Sequence, residues 1–322
     1  MNVLSLFDGM SCGMIALERA GIQVTNYYAS EIDKYAIKVS EHNYPNIIRL
    51  GDVTKVSYKD GVLYSENEQW NVGKIDLLLA GSPCQGFSLA GKQLAFDDER
   101  SKLYFEFERI LKEVNPTYFL LENVKMKQEY KDIISDRLGM QPIAINSNLV
   151  SAQNRYRLYW TNIPNIQQPE DLNIVLSDIL ELNINDKYYI KFGRLDWLKT
   201  FGEVKEKKGY IAFNPTKAKC LTALREPSWN TTYILQWPHG TNKGGVRALE
   251  GKTPTLTTSS WESNNYLLHN GLVRKLTPTE CERLQTVPDN YTSCVADNHR
   301  YKMLGNGWTV DVIAHILNGM KE

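Results

Sequence analysis

The sequence has no stretch approaching the roughly 20 consecutive apolar residues that a membrane-spanning helix needs, so no membrane partner is expected. Its opening, Met1 to Asp8, lacks a basic region and is interrupted early by Asp8, which predicts no secretory signal. Cysteine is scarce, with five residues at 12, 84, 220, 281 and 294 and no Cys-x-x-Cys pair. That odd count and spacing argue against a disulfide framework and a zinc ribbon, and no metal is expected. Free thiols of this kind belong to a reducing compartment. Net charge is absent too, with 37 Lys and Arg against 37 Asp and Glu. The Gly-x-Gly-x-x-Gly fingerprint of dinucleotide binding does not occur, which excludes a nicotinamide oxidoreductase.

The 322 residues are enough for two domains, and 42% hydrophobic with 23% charged residues is an ordinary globular balance. The charge is unevenly spread. Residues 187–275 hold fifteen Lys or Arg against six Asp or Glu, a net of +9, which leaves −9 for the rest. Four of the seven tryptophans (Trp197, Trp229, Trp237, Trp261) fall in the same stretch. A basic, aromatic-rich part beside an acidic part suggests a polyanion-binding region joined to a catalytic one. Charge alone weighs equally for a solvated surface.

Residues 1–165 alternate strand and helix patterns. Val3 to Phe7, Val24 to Ser30, Ile75 to Ala80, Tyr118 to Leu121 and Leu158 to Thr161 read as strands. Met14 to Ala20 and Lys102 to Val114 read as helices. This alternation predicts an α/β fold with a doubly wound sheet. Between Val56 and Trp70 the pattern alternates around Asp60-Gly61, which predicts a hairpin inserted at the sheet edge. From about 166 the strands shorten and Asn, Thr, Lys and aromatics dominate. Here Lys219–Ala223 and Pro254–Thr258 form a weak echo, each followed by a Ser-Trp pair. Thr277-Pro278-Thr279-Glu280 offers a helix start. Val310 to Leu317 is apolar on one face, so it either docks on the first domain or lies exposed. The expected domains are 1–165 completed by 276–322, and a smaller, irregular one over 166–275.

Four groups of residues carry chemistry. Gly81-Ser82-Pro83-Cys84-Gln85-Gly86-Phe87-Ser88 follows a buried strand, and ligands in open α/β sheets sit beyond strand carboxyl ends. Cys84 is therefore either an exposed nucleophile or an ordinary buried thiol. Glu122-Asn123-Val124 also ends a strand. Alone, Glu122 is a surface carboxylate; beside Cys84 it is a candidate acid. In Gln153-Asn154-Arg155-Tyr156-Arg157 the two arginines share a face, suited to phosphate, a carbonyl oxygen or simply solvent. Phe7-Asp8-Gly9 with Gly13 makes a glycine-bearing turn. Glu31, about twenty residues on, suits ribose hydroxyls, and Asp52 suits an adenine amino group. Such contacts without pyrophosphate glycines fit an adenosyl cofactor better than a dinucleotide.

Taken in order, these motifs resemble the cytosine-5 DNA methyltransferase family over nearly the whole chain, together with Arg274 to Pro288 and Gly305-Asn306. The family's usual Gly-Asn-Ser-Val is replaced here by Gly305-Asn306-Gly307-Trp308. The resemblance implies an S-adenosylmethionine-dependent methyltransferase (Rossmann-like) sheet with a target-recognition domain. It implies catalysis by Cys84, Glu122, Arg155 and Arg157 on a flipped-out cytosine. The implied S-adenosylmethionine pocket is Phe7, Asp8, Gly9, Met10, Gly13, Glu31, Ile32, Asp52, Val53, Pro83, Leu103, Asn306 and Trp308. Double-stranded DNA is the implied partner, met by Gln85, Ser88, Gln236, Lys243, Arg247, Lys252, Thr255 and Thr257. A cytoplasmic, nucleoid-associated protein is expected, monomeric on DNA and compatible with a companion restriction endonuclease. The alternatives are a tRNA cytosine-5 methyltransferase and a catalytically inactive DNA-binding relative.

Overall fold

A computed structural model describes residues 1–81, 99–189, 233–236, 245–247, 252–256, 266–269 and 272–321. Cys84, Pro83, Gln85, Ser88, Lys243, Thr257 and the Lys219–Ala223 half of the echo lie outside them. The chain divides into two compact units. The first comprises Met1–Ile179, Gly251–Ser260 and Pro278–Glu322; the second comprises Leu180–Glu250 and Trp261–Thr277.

The first unit is built on a seven-stranded sheet. Strands β1 (Asn2–Leu6), β2 (Asn26–Ser30) and β3 (Ile48–Gly51) run parallel, with helices α1 (Cys12–Arg19) and α2 (Lys34–Asn43) as crossovers. Three short strands follow, β4 (Ser57–Lys59), β5 (Val62–Tyr64) and β6 (Gln69–Asn71). The central sheet resumes with β7 (Leu77–Gly81), helix α3 (Glu99–Val114) and β8 (Tyr118–Val124). Helix α4 (Gln128–Leu138), β9 (Ile143–Asn146) and β11 (Tyr156–Thr161) complete it, while the two-residue β10 (Gln153–Asn154) pairs outside it with Thr253–Pro254. The strand order is β3-β2-β1-β7-β8-β11-β9, with β11 antiparallel to both neighbours. The order reverses between β1 and β7, and the crevice beyond that switch point is where such sheets bind ligands.

The apolar runs explain the sheet. Leu77 to Ala80 are wholly buried, as a parallel strand covered on both faces requires. Leu4, Leu6, Leu78, Leu121 and Trp160 pack with Tyr104 and Phe107 of α3. The Asp60-Gly61 hairpin forms with both turn residues at positive φ, 50° and 82°, as a two-residue hairpin turn demands. It differs from the expected edge insertion, because β4–β6 form their own antiparallel sheet. That sheet meets α3, with the Tyr58 N–H donating to Glu113 Oε2 at 2.9 Å, and Leu63 joins the core. The third strand, β6, pairs with β5 and sets Trp70 opposite Leu63, which the hairpin pattern alone did not indicate.

After the short α5 (Leu176–Ile179), the unit closes with α6 (Pro278–Leu284), α7 (Asp297–Asn306) and α8 (Val310–Asn318). The apolar face of α8 docks on α1, reinforced by the exposed Arg19–Asp311 ion pair at 2.5 Å. In the second unit, strands Tyr233–Gln236, Gly245–Arg247, Tyr266–His269 and Leu272–Arg274 form a four-stranded antiparallel sheet.

Candidate active site

The turn from β1 into α1 carries three residues at positive φ: Phe7 (57°), Gly9 (61°) and Ser11 (65°). Only glycine adopts this region without cost, so the other two must be held there. Asp8 does much of this. Its N–H donates to Ser30 O at 3.0 Å, and its carboxylate accepts from Ser11 Oγ at 2.5 Å and Tyr27 Oη at 2.7 Å. Burial raises the Asp8 carboxyl above its ordinary pKa, and these hydrogen bonds oppose the shift.

The shape of this turn leaves a cavity of about 350 Å³ within the first unit, beyond the carboxyl ends of β1, β2, β3, β7 and β8. Eleven of the thirteen expected cofactor residues line it: Phe7, Asp8, Gly9, Met10, Glu31, Ile32, Asp52, Val53, Leu103, Asn306 and Trp308. Pro83 lies outside the described residues. Gly13 is not among the lining residues, and its role is different. A Cβ there would stand 2.6 Å from Tyr27 Oη and 2.8 Å from Leu79 Cδ1, so Gly13 permits close packing rather than ligand contact.

The lining fits an adenosyl group. Glu31 Oε2 accepts the Gly9 N–H at 2.8 Å, and Oε1 accepts those of Ile32 and Asp33. Three backbone donors fix this carboxylate, and it retains acceptor capacity for a diol. Ile32 is 73% exposed at the cavity, an apolar surface suited to a flat base. Asp52 caps the following turn through Thr54 N–H at 2.9 Å.

The same cavity is lined by Glu122, Arg155 and Arg157. Glu122 is 8% exposed near the end of β8, and its ladder partner in β7 is Gly81, three residues ahead of Cys84. From the neighbouring strand β11, Arg157 brings its Nε to 2.8 Å from Glu122 Oε1. Tyr159, the ladder partner of Glu122, is buried. Burial, with the Glu122 charge adding to it, pushes the Tyr159 hydroxyl above its usual range.

Arg155 differs from its expected companion role. It is the single residue between β10 and β11 and is 2% exposed, and its guanidinium donates to three backbone carbonyls. Lys252, expected at DNA, likewise donates to the carbonyls of Asn148, Ser151 and Ile174. Thr255 Oγ1 donates to Asn154 O at 2.6 Å. Gln236 and Arg247 end two strands of the second unit's sheet.

Further residues that line the cavity were not singled out in the sequence, among them Asp33, Tyr35, Ala36, His299, Lys302 and Met303. The Tyr35 and His299 rings stack with centroids 3.3 Å apart, and Lys302 pairs with Asp33 at 2.7 Å. Helical spacing was the available signal, because 299, 302 and 306 share one face of α7. Among the described residues no cluster of His, Cys, Asp and Glu could hold a metal ion, and no helix is long and apolar enough to cross a membrane.

Comparison with known proteins bears on this arrangement. The family model for C-5 cytosine-specific DNA methylases matches residues 1–135 and 143–322. The type II methyltransferase M1.ScrFI of Lactococcus lactis subsp. cremoris is 30% identical, over 100% of this chain and 78% of that one. M.HhaI of Haemophilus parahaemolyticus, also a type II methyltransferase, is 28% identical over 98% and 93%. Among solved structures, the methyltransferase EhMeth of Entamoeba histolytica superposes with a TM-score of 0.68 at 18% identity, covering 100% of this chain and 99% of that one. At that identity the likeness is one of fold.

Proposed function

Because the chain belongs to the C-5 cytosine-specific DNA methylases, we propose that it methylates C5 of cytosine in a short sequence of double-stranded DNA, with Cys84 as nucleophile. The observation that carries this reading is one cavity. Eleven adenosyl-binding candidates share it with Glu122 and Arg157, and the ladder partner of Glu122 immediately precedes the Pro-Cys-Gln loop.

S-adenosylmethionine, which the family implies, supplies an electrophilic methyl group on sulfur. Glu31 would hold its ribose, Ile32 and Val53 its adenine face, and Asp52 its amino group. The flipped cytosine would enter against Glu122. Addition of the Cys84 thiolate to C6 opens the C5–C6 double bond and makes C5 the carbon that accepts the methyl. Glu122, hydrogen-bonded at N3 and the exocyclic amine, relieves charge on the ring during that addition. Loss of the C5 proton then expels the thiolate and restores the ring. Arg157 attracts the Glu122 carboxylate by charge and keeps it close to the base without an aligned hydrogen bond. Extruding the base costs a few kcal/mol, and contacts from residues 166–275, to which we assign target recognition, would offset it.

The cavity is walled by residues of one unit of a single chain, which supports action as a monomer on DNA. The description of the relatives as type II methyltransferases supports a companion restriction endonuclease, with the protein working at the nucleoid. That description also weighs against the tRNA alternative. Methyl-labelled cofactor incubated with duplex DNA and with tRNA separates these readings. Label in DNA cytosine is expected, and label in tRNA alone would overturn the assignment.

A further inference from the structure

Residues 252–256 lie in sequence between the two pieces of the second unit, yet they belong to the first. Two cationic side chains hold them there. Lys252 Nζ donates to Asn148 O at 2.8 Å, Ser151 O at 3.3 Å and Ile174 O. An ammonium group has three donors, and these carbonyls match all three. Arg155 Nη1 donates to Leu256 O at 3.0 Å, while Nη2 donates to Gly305 O at 3.2 Å and Gly307 O at 2.8 Å. The Leu256 N–H donates to Gln153 Oε1 at 2.7 Å. Gln153 Nε2 reaches Gln285 Oε1 at 3.2 Å, and Gln285 Nε2 returns to Leu304 O and Gly307 O.

The Leu256 peptide and the Gly305–Gly307 end of α7 are therefore joined through one guanidinium and one pair of amides, all buried. Asn306 sits between the two carbonyls that Arg155 grips, and Asn306 and Trp308 line the cofactor cavity. A planar peptide carries the Gly305 carbonyl and the Asn306 N–H together. A ligand that fixes Asn306 thus fixes the direction of an oxygen bound by Arg155. The rigid guanidinium fork transmits that direction to Leu256, because it cannot keep both sets of bonds if one segment turns.

Resting on the methyltransferase reading above, we propose that Arg155, with Lys252, is a positioning element. It couples cofactor binding at Asn306, the end of α7, to the placement of residues 252–256 against DNA. Cofactor and target duplex then tighten each other's binding, and by linkage the two effects are equal.

The test uses the full chain, S-adenosylhomocysteine as a probe that cannot turn over, and a duplex bearing the motif that the wild-type protein methylates. Calorimetry gives the probe's Kd with and without duplex, and the ratio is the readout. A uniform loss of affinity or stability leaves it unmoved. In the wild type the duplex should tighten the probe by about fivefold or more, a typical coupling. In Arg155→Lys, which keeps the charge but loses the fork, the ratio should fall toward one. It should also fall in Lys252→Met, which frees the same segment at its other end and decides the matter if Arg155→Lys does not fold. A wild-type ratio of one, or a wild-type ratio retained in both variants, overturns the coupling and leaves these residues as structural bolts. A wild-type protein that methylates no motif would instead contradict the activity itself.

Discussion

Arg157 Nε lies 2.8 Å from Glu122 Oε1, yet its N–H is not directed at that oxygen. The pair attracts by charge without an aligned hydrogen bond, so the carboxyl keeps freedom to turn toward a base. Its burial matters, because both side chains are nearly enclosed and water screens the attraction little. Glu122→Gln keeps the shape but removes both the charge and the acid. Cofactor affinity should stay while kcat falls at least about tenfold, within the usual range for a lost general acid. Steady-state kinetics with calorimetry on the same preparation checks this. Wild-type turnover in the variant would remove Glu122 from the mechanism.

Ile32 makes few folding contacts, being 73% exposed at the cavity. Ile32→Ala should leave thermal stability unchanged and weaken cofactor binding by about 1–2 kcal/mol, the cost of a few uncovered methyl and methylene groups. Titration calorimetry would register that as a Kd roughly 5–30-fold higher. An unchanged Kd would take the adenine face away from Ile32.

Gly13 lies against Tyr27 and Leu79, and Tyr27 is itself tied to Asp8. Gly13→Ala must therefore displace the buried ends of Tyr27 and Leu79, at a cost of about 1–3 kcal/mol. A thermal melt should show a Tm several degrees lower. An equal Tm would mean that the β1–α1 turn tolerates displacement.

Cys12 lies under the cofactor turn, and burial pushes its thiol up to about 12. A raised pKa keeps the group protonated and unreactive until the pH approaches that value. Cys281 is likewise buried and shifted upward. Iodoacetamide at pH 8 should therefore label half-buried Cys294 well before Cys12 or Cys281, read by peptide mass spectrometry. Early labelling of Cys12 would show that the turn opens readily.

The parts of the fold that follow from local pattern were legible in the sequence. Leu77 to Ala80 announced a buried parallel strand, Asp60-Gly61 a hairpin, and the apolar face of 310–317 a helix either docked or exposed, which the fold settles as docked on α1. Strand β9 was not legible, because Ile143-Ala144-Ile145-Asn146 is too short to separate from a loop by periodicity. Nor was the third strand at Gln69–Asn71, whose place follows from its pairing with β5. In the site, strand-end residues such as Glu31, Asp52 and Glu122 stood out because chemistry and position coincided. Arg155 and Lys252 look like ligand-binding cations in sequence. Only the fold brings them to carbonyls some 80 to 150 residues away, a relationship that no local pattern encodes. The stacking of Tyr35 on His299 escaped notice because it joins two helices far apart in sequence, although the spacing of 299, 302 and 306 was itself a local signal.

The most direct test is bisulfite sequencing of DNA from cells that express the protein or its Cys84→Ser variant. Protected cytosines at one fixed short motif, lost in the variant, are the predicted result. Cytosines converted everywhere in the wild type, or a motif equally protected in Cys84→Ser, would contradict the account.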